Sequence, residues 1–160
     1  MATNIGTGPQ DIPLNQFLGE MAFMDAKPKV ACRVSLSSVG NHNLTAGQYF
    51  PFTNVIWQYG VEFDTSVYAF YAPYPGIYSV NMNTYKNGTG APTTFEIMKN
   101  SATVICTSRG TNSGDITQHA SILEYLDVGD TIAVRAGSAF VAYEDTTFGK
   151  YTSLNIHYIG

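Results

Sequence analysis

One rhythm constrains this chain more than anything else in it. From Val30 onward, short runs rich in β-branched and aromatic residues are separated by turn residues roughly every ten positions, the spacing of an all-β sandwich or barrel. The predicted strands cover residues 30–36, 54–58, 67–71, 77–86, 94–99, 103–108, 116–126, 131–136 and 151–159. Alternation sets their faces: Ile132, Val134 and Ala136 fall on one side, as do Leu154, Ile156 and Tyr158. Turn chemistry agrees, with Asn87-Gly88, Lys99-Asn100 and Val128-Gly129-Asp130 between runs. No long amphipathic helix competes.

Residues 1–28 break this rhythm and read as an extended arm, leaving 29–160 as the β domain. Glycines and prolines punctuate the arm, yet Ile12, Leu14, Phe17, Leu18, Met21 and Phe23 are more apolar residues than a solvated tail carries. These six are the expected docking residues of the arm. A short helical turn from Asn15 to Met24 is a second option, with Asn15 as its cap and Gly19 against it.

Charged residues make up only 12% of the 160, whereas Tyr 11 and Phe 9 make the chain aromatic. A lone monomer with so few charges has little protection against self-association, so some surface is expected to be covered by other copies. The net charge of −4 leaves no basic stripe for a phosphate backbone, which argues against nucleic acid as a partner. No run approaches the ~18 apolar residues of a membrane span, and the first residues lack the pattern of a secretory signal. Synthesis in a cytoplasm, with no membrane insertion, is the expectation. Cys32 and Cys106 stand alone in strand-like surroundings, so free thiols are favoured; a disulfide would require neighbouring strands.

Catalytic constellations are weak. His42, His119 and His157 with Asp115, Glu124 and Asp145 can be assembled into triads only on paper. The run from Gly110 to Gly114 lacks the helix a nucleophile elbow needs and reads as a hairpin loop. Glu144-Asp145 offers too few oxygens for calcium and reads as a solvated acidic loop. No enzyme activity, metal or cofactor is expected. Tyr68, Tyr71, Tyr74 and Tyr78 suit either stacking on sugar rings or a subunit interface, with the interface favoured.

Several motifs occur in a telling order. Val61-Glu62-Phe63-Asp64, Tyr68-Ala69-Phe70 and Ala72-Pro73-Tyr74-Pro75-Gly76-Ile77-Tyr78 are followed by Phe95-Glu96-Ile97-Met98-Lys99-Asn100, by Val128-Gly129-Asp130-Thr131-Ile132 and by Thr147-Phe148-Gly149. This series resembles the globular head of complement first-component q subunits and their tumour necrosis factor-like relatives. The resemblance implies a jelly-roll sandwich of about ten strands assembled as a homotrimer, with Tyr68, Phe70, Tyr78 and Tyr158 as expected interface residues. In the arm, Gly8-Pro9-Gln10-Asp11-Ile12-Pro13-Leu14-Asn15-Gln16-Phe17-Leu18-Gly19 is similar to the lead-in of virion proteins of tailed bacteriophages. Together the two resemblances imply a capsid decoration or cement protein on the virion surface, held to another virion protein by its arm. The alternatives are the receptor-binding tip of a tail fibre, with host surface glycan as partner, and a secreted complement-like or cytokine-like recognition module.

Overall fold

A computed structural model describes residues 28–86, 92–111, 114–145 and 151–160. Twelve strands run through them: β1 Ala31–Ser35, β2 Gly40–Leu44, β3 Asn54–Tyr59, β4 Phe63–Asp64, β5 Ala69–Tyr71, β6 Gly76–Lys86, β7 Thr94–Lys99, β8 Thr103–Arg109, β9 Ile116–Leu126, β10 Thr131–Ala136, β11 Phe140–Glu144 and β12 Ser153–Tyr158. No helix occurs among the described residues. Residues 1–27 of the expected arm, with its docking residues Ile12, Leu14, Phe17, Leu18, Met21 and Phe23, lie outside the described residues, as do Asn87-Gly88 and Thr147-Phe148-Gly149.

The strands form two antiparallel sheets. A seven-stranded sheet runs β2-β11-β6-β12-β1-β3, with β9 on the other edge of β6; a five-stranded sheet runs β4-β5-β10-β7-β8. β6 is the spine, because its eleven residues pair along their whole length with β9 on one side and with β12 and then β11 on the other. Its alternation fixes which side chains enter the core: Tyr78, Val80 and Met82 are fully buried. Opposite them stand Phe70, Ile132, Val134, Phe95 and Ile97 of the second sheet. The result is a sandwich core built from one face of each sheet.

Three strands escape the sequence pattern, each for a local reason. Among the described residues, β2 (Gly-Asn-His-Asn-Leu) pairs only with β11 and buries only Leu44, so it carries almost no apolar signal. β4 has two residues, too short for a period to register, and β11 (Phe-Val-Ala-Tyr-Glu) is apolar in both phases over its first four residues, so no polar alternation marks it. The segment after β2 then plugs the sandwich. Phe50 donates its N–H to the Val134 carbonyl at 2.9 Å, and its ring meets Phe52, Phe95 and Phe140 at centroid distances of 5.9, 6.4 and 5.5 Å.

The turns match the residues that make them. Asn100 and Ser101 have φ of 54° and 56°, and the Ala102 N–H closes on the Lys99 carbonyl at 3.2 Å, a tight turn with left-handed backbone at both central residues between β7 and β8. At the corner before β6, Gly76 has φ 145°, and a Cβ there would stand 2.7 Å from the Tyr158 ring. Side chains then tie two hairpins together: Asn100 donates to Asp130 and accepts from the Thr131 N–H, both at 2.8 Å, and Lys99 reaches Asp130 at 3.2 Å and Glu124 at 3.3 Å.

This lattice holds the Asp130 carboxyl below the usual aspartate range, first through the Asn100 amide and then through the Asp127 N–H. A carboxyl whose folded pKa is depressed stabilises the fold above its unfolded value, and that contribution disappears as pH falls through the folded value. The fold is therefore expected to lose stability below about pH 4, and Asp130→Asn should flatten that dependence. Urea melts of both proteins between neutral pH and pH 3 check this; parallel pH profiles would contradict it.

Candidate functional site

The sandwich has two outer faces, and they differ in chemistry. On the seven-stranded sheet, register lines up side chains across five strands. One row reads Tyr59, Ala31, His157, Ser79 and Leu123; the next reads Trp57, Arg33, Asn155, Asn81 and Ser121. Beyond the first row, Ile77 faces Tyr125. Pairing therefore gathers large apolar groups at the rim of this face: Tyr59 is 63% exposed and Leu123 67%, with Trp57, Ile77 and Tyr125 each exposed as well. Polar groups occupy its centre. Ser121 donates to Asn81 at 2.6 Å, and Asn81 donates to Ser79 at 3.0 Å.

One atom on this face is out of balance. Arg33 Nε is buried but has no acceptor among the described residues. A buried donor left without an acceptor costs free energy, about 1–3 kcal/mol and more for a charged group. An acceptor supplied from outside the chain would remove that cost.

The residues expected at a trimer interface divide. Phe70 and Tyr78 are fully buried within the single chain, their rings 5.6 Å apart, and Tyr78 donates its hydroxyl to the Tyr74 carbonyl at 2.7 Å. Both are core residues, which corrects their assignment to a surface. The physical reason is phase: Tyr78 alternates with Ile77, and Ile77 is the side chain that faces out. Tyr158 is half-buried on the core side, 5.2 Å from Tyr78. Tyr68 lies just before β5, half-buried, with φ 57°. Trp57, Tyr59, Leu123 and Tyr125 were not singled out by sequence. A signal existed in β9, where Ile122 and Leu126 occupy one phase and Leu123 and Tyr125 the other, apolar on both faces at one end.

The candidate catalytic residues do not meet. His42 is in β2 with its Nε2 at 2.9 Å from the Ser38 carbonyl, His119 is in β9, and His157 packs over Trp57 in β12. Glu124 is engaged by Lys99. Glu144 is fully buried rather than solvated, because its Oε1 accepts the N–H groups of Asp145 and Tyr151, both at 3.1 Å, at the end of β11. Cys32 and Cys106 are free thiols in different sheets, which removes the disulfide option; burial pushes the Cys32 thiol up to about 12. Among the described residues, no group of three His, Cys, Asp or Glu is placed to hold a metal ion.

The C1q domain family model matches residues 34–152. The chain belongs to the C1q domain family. No curated protein matches the sequence. Among solved structures, this C1q domain is similar to an Eiger tumour necrosis factor from S. frugiperda, with TM-score 0.69 and 9% identity over 84% of this chain and 94% of that one. It is also similar to the globular domain of zebrafish complement 1qA, with TM-score 0.64 and 16% identity over 82% and 98%, and to murine APRIL, with TM-score 0.63 and 10% identity over 82% and 99%. At these identities the likeness shows the fold, a C1q- and tumour necrosis factor-like all-β sandwich.

Proposed function

We propose that this C1q domain is a non-catalytic, homotrimeric binding and structural module, and that its copies meet through the outer face of the seven-stranded sheet. The observation that carries this reading is the composition of that face: exposed aromatic and aliphatic groups around an arginine whose Nε lacks an acceptor among the described residues. Exposed Trp, Tyr and Arg are the residue types enriched where protein surfaces bind one another. The low charge of the whole chain supports the same reading.

Within that reading, the chain is a virion surface protein of a tailed bacteriophage, a capsid decoration or cement module made in the host cytoplasm and held to another virion protein by residues 1–28. This part rests on the arm's sequence. Burying each of Leu14, Phe17 and Leu18 against a partner is worth about 1.5–3 kcal/mol, and three arms acting together multiply the effect. Deleting residues 1–24 is expected to leave a folded trimer that no longer joins particles. Particle pull-down and thermal melting on the same truncated protein test this: unchanged attachment refutes the anchoring role, and a lost melting transition shows that the arm belongs to its own domain.

A further inference from the structure

The outer face of the five-stranded sheet carries a groove of about 680 Å³. Its volume is typical of a ligand cleft. The floor is made of small side chains, because Ala69 and Ala133 pair directly across β5 and β10 and both point away from the core. Around that floor rise Tyr49, Tyr68 and Tyr71. Among the described residues, neither Asp, Glu, Lys nor Arg lines it. The next outward residue along β10, Arg135, is already neutralised by Glu96 at 2.6 Å.

The wall that bears Tyr68 is held in an unusual shape. Asp64 Oδ1 accepts the Ser66 N–H at 2.8 Å, the Ser66 hydroxyl at 2.6 Å and the Val67 N–H at 3.4 Å, and the next residue, Tyr68, sits at φ 57°. Left-handed backbone is rare for an aromatic residue and persists only where surrounding contacts impose it. Here the tight turn delivers a tyrosine and a serine to one groove. Gln48, Ser101 and Thr131 add an amide and two further hydroxyls.

We propose that this groove binds a neutral saccharide. Aromatic rings present flat faces to the C–H faces of a sugar, while hydroxyls and an amide both donate to and accept from its hydroxyls. The lack of formal charge in the lining selects against acidic sugars and phosphates. The site is complete within one chain and lies on the opposite sheet from the proposed assembly face, so assembly leaves it open. Its multiplication to three per particle unit, with the gain in avidity that follows, rests on the trimer reading.

Titration of the full chain with maltotriose, cellotriose and triacetylchitotriose, followed by saturation-transfer NMR and by tyrosine ring shifts, tests the assignment. Saturable binding of at least one is expected. Ala133→Leu, which fills the floor, and Tyr71→Ala, which removes an exposed ring, should each weaken it tenfold or more. Light scattering on the same samples should show unchanged mass, which separates loss of the groove from loss of assembly. If Ala133→Leu does not fold, Tyr71→Ala alone decides. The assignment is overturned if none of the three sugars binds, if both variants bind as the parent does, if sialyllactose binds more tightly than the neutral sugars, or if only a proline-rich peptide binds.

Discussion

Phe50→Ala is expected to lower the stability of this C1q domain by about 3–5 kcal/mol, with a melting temperature lower by roughly 10 °C. Phe50 is fully buried and touches three other phenylalanine rings, Phe52 of its own loop, Phe95 of one sheet and Phe140 of the other, so its removal leaves a cavity that several elements would have to move to fill. Its backbone N–H is also bonded to β10, which holds the main chain in place and limits collapse. Val39→Ala is the matched control, because Val39 is 56% exposed and its loss should change stability by no more than about 0.5 kcal/mol. Urea melts at fixed protein concentration make the comparison, since the proposed assembly would couple stability to concentration. A Phe50→Ala change no larger than that of the control would mean the segment after β2 does not plug the core.

The second large effect concerns assembly. Leu123→Asp with Tyr125→Asp should leave the β-sheet circular dichroism unchanged and give a single-chain mass at micromolar concentration. Both side chains lie on the outward phase of β9, so the substitutions put two carboxylates on the proposed interface without touching the core. At about 2 kcal/mol for each residue and about 1.4 kcal/mol per tenfold, association weakens roughly a thousandfold. Val104→Asp places one such carboxylate on β8 in the other sheet, where Val104 is 40% exposed, and should leave the mass unchanged. An unchanged mass in the double variant, or an equal loss in Val104→Asp, would place the contact elsewhere.

Much of this fold was legible in the sequence, and what was hidden has a common cause. β6, β9 and β10 were plain because they are long or strictly alternating, and their alternation follows directly from burial on one face. β2 and β4 were hidden because an edge strand that buries one residue, or a strand of two residues, leaves no period to read. The candidate site suffered more. Tyr68, Tyr71, Tyr74 and Tyr78 look like one stripe, but the Ala72-Pro73-Tyr74-Pro75 corner resets the phase, sending Tyr78 into the core and leaving Tyr71 in the groove. The assembly face depends on register: Tyr59, Ile77, Leu123 and Tyr125 come from three strands far apart in sequence, and only pairing through β1, β12 and β6 sets them on one surface. The groove likewise needs Tyr49 from a loop beside Tyr71 from β5.

On the proposed reading, copies of this domain assemble through the seven-stranded sheet into a trimer. Sedimentation equilibrium of the full chain at micromolar concentration tests it most directly. The expected mass is three times the 17.4 kDa of one chain. A particle of one chain mass across the whole concentration range would contradict it.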